Sequence, residues 1–140
     1  MTPVALAALH GRAMASRPWS EVEFAALLAA PGVFLVCNGP SSFALGRIAA
    51  DEAELLTIAV APEARRAGLG LGSLAGFETE AAARGAIRAF LEVDTDNLAA
   101  LALYRAARWA DAGRRRGYYR ASTGPGTDAL VMTKSLLPNR

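Results

Sequence analysis

A strand-to-helix junction in the middle of the chain has the residues expected of a phosphate-binding site. A strand-like run over residues 55–60 is followed by Gly68 and Gly70, and a long amphipathic stretch begins near Leu69. Both glycines can adopt a positive φ and let the backbone approach a ligand closely. The first amides of the helix would point outward with the positive end of the helix dipole behind them. The junction therefore predicts a ligand that carries a pyrophosphate.

Two kinds of protein build such a junction, and the spacing distinguishes them. The string Gly70-Leu71-Gly72-Ser73-Leu74-Ala75 fits the dinucleotide-binding pattern G-x-G-x-x-G/A, and Glu92 follows about twenty residues later. In that motif the first glycine follows the strand almost directly, whereas seven residues separate Val60 from Gly68. The remaining sequence is also too short for further βαβ units. Dinucleotide binding is therefore the less favoured alternative.

The string Arg65-Arg66-Ala67-Gly68-Leu69-Gly70 resembles the R/Q-x-x-G-x-G/A signature of the GNAT acyltransferases. The resemblance implies that acetyl-coenzyme A binds with its pyrophosphate at this junction. The implied contacts are the main-chain amides from Arg66 to Leu71, together with the side chains of Arg65 and Arg66. Relatives often place arginine or serine where this chain has Leu71, so one side-chain contact to phosphate is not expected here.

Further strings narrow the resemblance to one branch of that family. Leu91-Glu92-Val93 and Asn97-Leu98-Ala99-Ala100-Leu101-Ala102-Leu103-Tyr104 resemble the L-E-V and N-x-x-A-x-x-L-Y strings of the RimI-type acetyltransferases, which modify the N-terminal alanine of a ribosomal protein. The strings that match the same branch elsewhere are Pro18-Trp19-Ser20, Asp51-Glu52-Ala53, Ile58-Ala59-Val60 and Arg115-Arg116-Gly117-Tyr118-Tyr119. Together they extend over nearly the whole chain.

Glu92 is the candidate general base. In a strand over residues 88–93, Leu91 and Val93 share one face and Glu92 lies on the other. This spacing alone favours a solvated carboxylate. A substrate α-amine with a pKa of about 8 is mostly protonated at neutral pH and must lose a proton before it attacks a thioester, so a nearby carboxylate is useful. The resemblance assigns that role to Glu92, directly or through water.

Tyr104 is the candidate general acid, and Asn97 lies on the same side of its helix. The two residues are seven positions apart, which corresponds to about two helical turns. Core packing is the common role of a helical tyrosine. A phenol with a pKa of about 10 can also protonate the departing coenzyme A thiolate, and the resemblance assigns Tyr104 that role. It further implies that Asn97 helps to hold the pantetheine arm.

The strand end Ile58-Ala59-Val60 is expected to act through its main chain. In the fold that the resemblance implies, this strand splays away from the one that carries Glu92. The pantetheine amides would pair with its exposed main-chain groups like an added strand. A main-chain amide near Val60 would stabilise an oxyanion.

Three aromatic residues, Trp19, Tyr118 and Tyr119, are candidates for the wall of a peptide groove. Aromatic residues at strand ends are more often buried in the core than part of a substrate site, so core packing is the alternative for all three. The nearby run Arg114-Arg115-Arg116 is typical of a solvated strand flank. Three arginines in a chain whose net charge is close to zero are weak evidence of nucleic-acid binding. No direct nucleic-acid binding is expected.

The composition indicates one soluble, cytoplasmic domain over residues 1–140. The chain is 53% hydrophobic, which is enough for one core, and 15 basic against 13 acidic residues give a net charge of +2. One cysteine and one histidine leave too few ligands for a usual zinc site, so no metal is expected. Cys37 lies in an apolar run and is expected to be buried. No apolar run is long enough for a signal peptide or a membrane span.

The hydrophobic periodicity predicts the elements that position these residues. Helices are expected over residues 4–14, 20–30, 69–84 and 97–107, and strands over 33–38, 42–49, 54–61, 88–93, 110–119 and 128–136. The first three strands form an antiparallel meander, and a β-helix-β crossover leads to the fourth. This order predicts a mixed α/β fold with a mostly antiparallel sheet that is splayed at the cofactor site. It is also the GNAT order, except that the strand usually found before the first helix is missing.

These observations predict an N-acetyltransferase that moves acetyl from acetyl-coenzyme A to a protein N-terminal α-amine by direct attack in a ternary complex. Neither Cys37 nor any serine constellation indicates a covalent acetyl-enzyme. The acceptor that the resemblance implies is the N-terminal alanine of a ribosomal protein. Two alternatives stay open. The same fold can act on a small-molecule amine or a lysine, or it can be a non-catalytic coenzyme A-binding module, which would not need Glu92 and Tyr104.

Overall fold

The computed structural model describes residues 1–14, 18–65, 67–119 and 126–138. The helices in these segments are α1 (Pro3–Ala13), α2 (Glu21–Ala29), α3 (Leu69–Ala83) and α4 (Leu98–Ala106). The strands are β1 (Val33–Cys37), β2 (Ser42–Ala49), β3 (Glu52–Val60), β4 (Arg88–Asp94), β5 (Ala110–Tyr119) and β6 (Thr127–Ser135). Every predicted element is present, with ends that differ from the prediction by one or two residues at most. None of the described helices is long and apolar enough to span a membrane.

The strands form one mixed sheet in the order β1-β2-β3-β4-β6-β5. Antiparallel pairing of β1 with β2 and of β2 with β3 confirms the predicted meander. α3 then crosses over the sheet so that β4 lies parallel to β3, and β6 pairs antiparallel with both β4 and β5. In the described residues no strand precedes α1. The predicted mixed α/β fold is therefore confirmed.

β3 and β4 pair only at their first residues and then separate. Their register ends at Glu54 and Phe90, although β3 continues to Val60 and β4 to Asp94. Just past the paired segment, β3 has a one-residue bulge at Leu56 in its register with β2, and a bulge of this kind bends the strand. The two strand ends consequently face each other across a gap, which confirms the predicted splay.

Helices cover the two faces of the sheet unequally. α3 and α4 pack on one face, over a core that includes Phe77, Leu91 and Leu101. α1 and α2 pack on the other face, over a core that includes Phe24 and Phe43. No described residue of β4, β5 or β6 belongs to this second core, so that side of those three strands is open. The open face begins at the gap between β3 and β4.

Local capping signals in the sequence correspond to the helix ends. Ser20 Oγ accepts the Glu23 N–H at 3.1 Å, and Glu23 Oε1 accepts the Ser20 N–H at 3.3 Å, so a complete capping box opens α2. Gly85 follows the end of α3 with a φ of 97°, the conformation in which glycine is favoured after a helix. These contacts are local, and the sequence alone is sufficient to predict them.

The prediction that Cys37 is buried is wrong, because its side chain is exposed. Cys37 is the last residue of β1, and β1 is an edge strand of the sheet. Burial along β1 is complete only at Phe34, which packs beneath α3. An apolar run therefore predicted the strand correctly but not the point at which its burial ends.

Candidate active site

A cavity of about 840 Å³ opens at the gap between β3 and β4. Its walls come from the end of β3, the start of α3 and one side of α4, and the end of α1 lies at its rim. The predicted cofactor residues that line it are Ile58, Ala59, Val60, Arg65, Gly68, Leu69, Gly70, Leu71, Asn97 and Tyr104. Ala67 does not line the cavity, and Arg66 lies outside the described residues.

The start of α3 has the geometry of an anion-binding helix end. Gly68 is the N-cap residue with a φ of 77°, a conformation that residues with a side chain rarely adopt. Among the described residues no side chain caps this end, and the N–H groups of Leu69, Gly70 and Leu71 have no partner inside the helix. The positive end of the helix dipole adds to their attraction for an anion. Gly70 does not adopt a positive φ, because this residue already belongs to the first turn of α3.

A buried pair of serines fixes the start of α3 to the sheet. Ser42 Oγ and Ser73 Oγ lie 2.6 Å apart, and both residues are fully buried. Ser42 Oγ and Asn38 Nδ2 also donate to the carbonyl oxygen of Leu69, each at 3.4 Å. Gly72 makes this approach possible, because a Cβ there would overlap with the Asn38 amide. Sequence reasoning missed these anchors, since no spacing rule connects serines that are 31 positions apart.

Arg65 connects the cavity rim to α1. Its Nη2 donates to the carbonyl oxygen of Ala13 at 3.1 Å, at the C-terminal end of that helix. A cation is favourable at this position because the helix dipole is negative there. The guanidinium group therefore has a structural partner in addition to its predicted role beside a pyrophosphate.

Tyr104 and Asn97 face the cavity from α4. Tyr104 is only 6% exposed, and its ring centroid lies 6.2 Å from that of Trp109. Asn97 is the N-cap residue of α4, and its Oδ1 accepts the N–H of Ala100 at 3.1 Å. Both residues line the cavity that Gly68 also lines. The prediction that they share one side of the helix is confirmed.

Glu92 lies on the opposite face of β4 from Tyr104. Leu91 and Val93 are buried in the same core as Tyr104, so Glu92 between them points to the other face, as predicted. Its side chain is 23% exposed, and its Oε1 lies 3.1 Å from Nη2 of Arg115. It does not line the cavity. The two candidate catalytic groups therefore lie on two faces of the sheet.

The three aromatic residues predicted for the acceptor site have different environments. Trp19 stacks on the buried His10 with 5.0 Å between ring centroids, and it does not line the cavity. Tyr118 is 51% exposed, and the guanidinium carbon of Arg115 lies 5.3 Å from its ring centroid. The side chain of Tyr119 lies outside the described residues. Tyr118 thus lies beside the partner of the candidate base, whereas Trp19 packs on the core under α1 and α2.

The model of the acetyltransferase (GNAT) family matches residues 10–108, which is more than half of the chain. The chain belongs to the GNAT family. A crystal structure of the ribosomal-protein-S18-alanine N-acetyltransferase from Escherichia coli shares this GNAT fold, with a TM-score of 0.84 and 33% identity over 99% of this chain and 90% of that one.

Two curated relatives are named as N-acetyltransferases. The [ribosomal protein bS18]-alanine N-acetyltransferase of Escherichia coli K12 is 38% identical over 118 residues, which cover 82% of this chain and 79% of the relative. The N-alpha-acetyltransferase RimI of Mycobacterium tuberculosis is 39% identical over 130 residues, which cover 84% of this chain and 75% of the relative. The structure of Ard1 from Thermoplasma volcanium, at 19% identity and a TM-score of 0.81, supports the fold alone.

GNAT acetyltransferases use acetyl-coenzyme A, and the cavity fits such a ligand. The uncapped helix start offers N–H groups to a pyrophosphate, and the edge of β3 that β4 leaves unpaired offers main-chain groups to a chain of amides. In the described part of the chain, no three His, Cys, Asp or Glu side chains are grouped as metal ligands.

His10 is a buried residue of this GNAT chain that the sequence did not single out. The Trp19 N–H donates to Nδ1 at 3.1 Å, so Nε2 carries the ring proton and donates to Thr57 Oγ1 at 3.1 Å. The Thr57 hydroxyl in turn donates to Met14 Sδ at 3.8 Å, and Met14 lines the cavity. Burial lowers the pKa of His10, and the charge of Glu23 partly opposes that effect. A neutral histidine therefore joins α1 to β3.

Protonation of His10 is expected to destabilise the protein, because the imidazolium ion cannot accept the Trp19 N–H. The folded state lowers the pKa of His10 below its ordinary value of 6.5, so the unfolded chain binds this proton more tightly. The free energy of unfolding should be highest above about pH 6.5 and fall below it, by at most about 1.4 kcal/mol per pH unit for one proton. Urea unfolding from about pH 7 to about pH 5.5 measures this slope. Equal slopes in the wild type and His10→Gln would contradict the prediction.

Proposed function

We propose that residues 1–140 act as a single domain that moves acetyl from acetyl-coenzyme A to the N-terminal α-amine of a protein. The observation that carries the acceptor class is the 38% identity, over most of both chains, to an enzyme named for acetylating the alanine of ribosomal protein bS18. The Mycobacterium tuberculosis relative, named as an N-alpha-acetyltransferase, supports the same class. By this similarity the acceptor is the N-terminal alanine of a ribosomal protein.

Acetyl-coenzyme A would be held by main-chain groups from two elements. The N–H groups at the start of α3, after Gly68, would bind the pyrophosphate, and Arg65 with the undescribed Arg66 would add positive charge. The edge of β3 that β4 leaves unpaired, from Ile58 to Val60, and the amide group of Asn97 would hold the pantetheine arm. The bound molecule supplies the acetyl group as a thioester.

The gap between β3 and β4 explains how groups on two faces of a sheet can serve one reaction. Tyr104 lines the cavity from the side of α4, and Glu92 would act from the open face of β4. Glu92 would accept a proton from the acceptor amine, and Tyr104 would give a proton to the departing sulfur. A main-chain N–H near Val60 would stabilise the developing oxyanion. The acceptor would then attack the thioester directly, from the face that α1 and α2 leave uncovered.

The acceptor class is tested with peptides that differ only in their first residue. Purified protein, acetyl-coenzyme A and each peptide are incubated, and the acetylated site is located by mass spectrometry. A peptide beginning with alanine should exceed one beginning with a bulky residue in kcat/KM by about tenfold or more, because a pocket for a small side chain excludes a large one. The same peptide with a blocked α-amine and one internal lysine should give no product.

Each alternative has its own outcome in the same assay. The acceptor would be a lysine if the blocked lysine peptide were acetylated. It would be a small-molecule amine if free amines were acetylated in preference to peptides. Binding of coenzyme A without transfer to any amine would indicate a non-catalytic module. Equal rates for the alanine and bulky peptides would refute the alanine preference while leaving α-amine transfer intact.

A further inference from the structure

Arg115 contacts the candidate base from two strands away. It lies on β5 opposite Ala129 of β6, and Ala129 is two residues from Val131, the β6 partner of Glu92. Its side chain crosses β6, where the small Ala129 leaves room, and its Nη2 lies 3.1 Å from Glu92 Oε1. Arg115 is the polar partner that the described residues provide for the Glu92 carboxylate.

The pair lies on the open face of the sheet, where the proposed acceptor arrives. The Arg115 side chain is 56% exposed and that of Glu92 is 23% exposed. The guanidinium group also lies over the exposed ring of Tyr118. Asp94, the other carboxylate of β4 on this face, already accepts the Asp96 N–H at 2.9 Å. The Arg115 guanidinium group therefore occupies the carboxylate of Glu92, which is also the group that the acceptor amine must approach.

An acceptor α-amine is mostly an ammonium ion at neutral pH, so it competes with the guanidinium group for one carboxylate. We propose that the Arg115 guanidinium group pairs with Glu92 in the free enzyme, and that the α-ammonium group of the acceptor displaces it from Glu92 on binding. The carboxylate then has a cationic partner both before and after binding. Arg115 can leave readily because an exposed ion pair contributes little stability. This inference rests on the proposed function.

Removal of the guanidinium group should strengthen acceptor binding. At saturating acetyl-coenzyme A, Arg115→Ala is expected to lower the KM for the alanine peptide about two- to fivefold, the range that corresponds to an exposed ion pair. The kcat should change less than about twofold, because Arg115 has left before the chemical step. Arg115→Lys keeps a cation and should retain a KM near that of the wild type. A merely structural role would not lower KM, since damage to the site weakens binding.

Arg114 provides a matched control on the same strand. Its side chain is also 56% exposed, and it pairs with Asp128, which is 23% exposed, so Arg114→Ala removes an equivalent ion pair away from Glu92. This variant should leave the acceptor KM unchanged. In a Glu92→Gln background, Arg115→Ala should also lose its effect, because the two changes act on one interaction.

Two results would overturn the role of Arg115. One is an unchanged or raised acceptor KM in Arg115→Ala, and the other is an equal fall in KM with and without Glu92. Either result leaves the proposed function intact, because the wild-type protein still transfers acetyl to α-amines. Failure of the wild type to acetylate any α-amine peptide would overturn the proposed function and the role of Arg115 with it.

Discussion

Tyr104→Phe is expected to lower kcat by about two to four decades, the usual contribution of general acid catalysis. The affinity for acetyl-coenzyme A should stay within about threefold of the wild-type value, because only the proton donor is removed. Phenylalanine keeps the ring that packs beside Trp109, so the wall of the cavity is retained. The departing thiolate must then take its proton from water. Steady-state kinetics measure kcat, and calorimetric titration measures the affinity.

Leu103 offers a matched control for Tyr104. It lines the same cavity from the preceding position of α4, and Leu103→Met conserves volume without touching a proton donor. Its kcat should therefore stay within about threefold of the wild type, since its side chain has no acid-base chemistry. A loss of less than about threefold in Tyr104→Phe would assign Tyr104 to core packing. A similar loss in Leu103→Met would attribute the effect to the shape of the cavity.

Features that depend on neighbouring residues could be predicted from the sequence. The capping box of Ser20 and Glu23, the turn at Gly85 and the helix start at Gly68 each need only a few adjacent residues, and all three are present. The strand over residues 88–94 likewise has the alternation that separates Leu91 from Glu92. The order of the elements was predictable for the same reason, and it agrees with the family resemblance.

Features that depend on which elements become neighbours could not be predicted. The hydroxyl contact between Ser42 and Ser73 requires α3 to pack on β2, and the contact between Arg115 and Glu92 requires β6 to lie between β4 and β5. Cys37 was assigned to the core because an apolar run does not reveal that its strand lies at the edge of the sheet. Sequence spacing describes one element at a time, whereas burial and ion pairing are properties of the assembled sheet.

Glu92→Gln is expected to give the second large effect, a fall in kcat/KM that depends on pH. At pH 7 only about one α-amine in ten is neutral, so the wild-type reaction depends on a base that removes the proton. Loss of such a base typically costs about two to four decades in rate. Above about pH 8 most of the α-amine is neutral, and kcat/KM should rise by a larger factor in the variant than in the wild type. The defect should therefore shrink as pH rises.

The pH dependence separates proton removal from acceptor positioning, which the size of the defect alone cannot do. Rates are measured from about pH 6.5 to about pH 9.5 with the alanine peptide and saturating acetyl-coenzyme A. Glu54 gives a matched control, because its side chain is also half-buried and its Oε1 lies 2.7 Å from Arg47 Nη2, at the paired end of β3. Glu54→Gln should leave the pH profile unchanged. A defect of equal size at every pH in Glu92→Gln would mean that the carboxylate orients the ammonium group, and that solvent removes the proton.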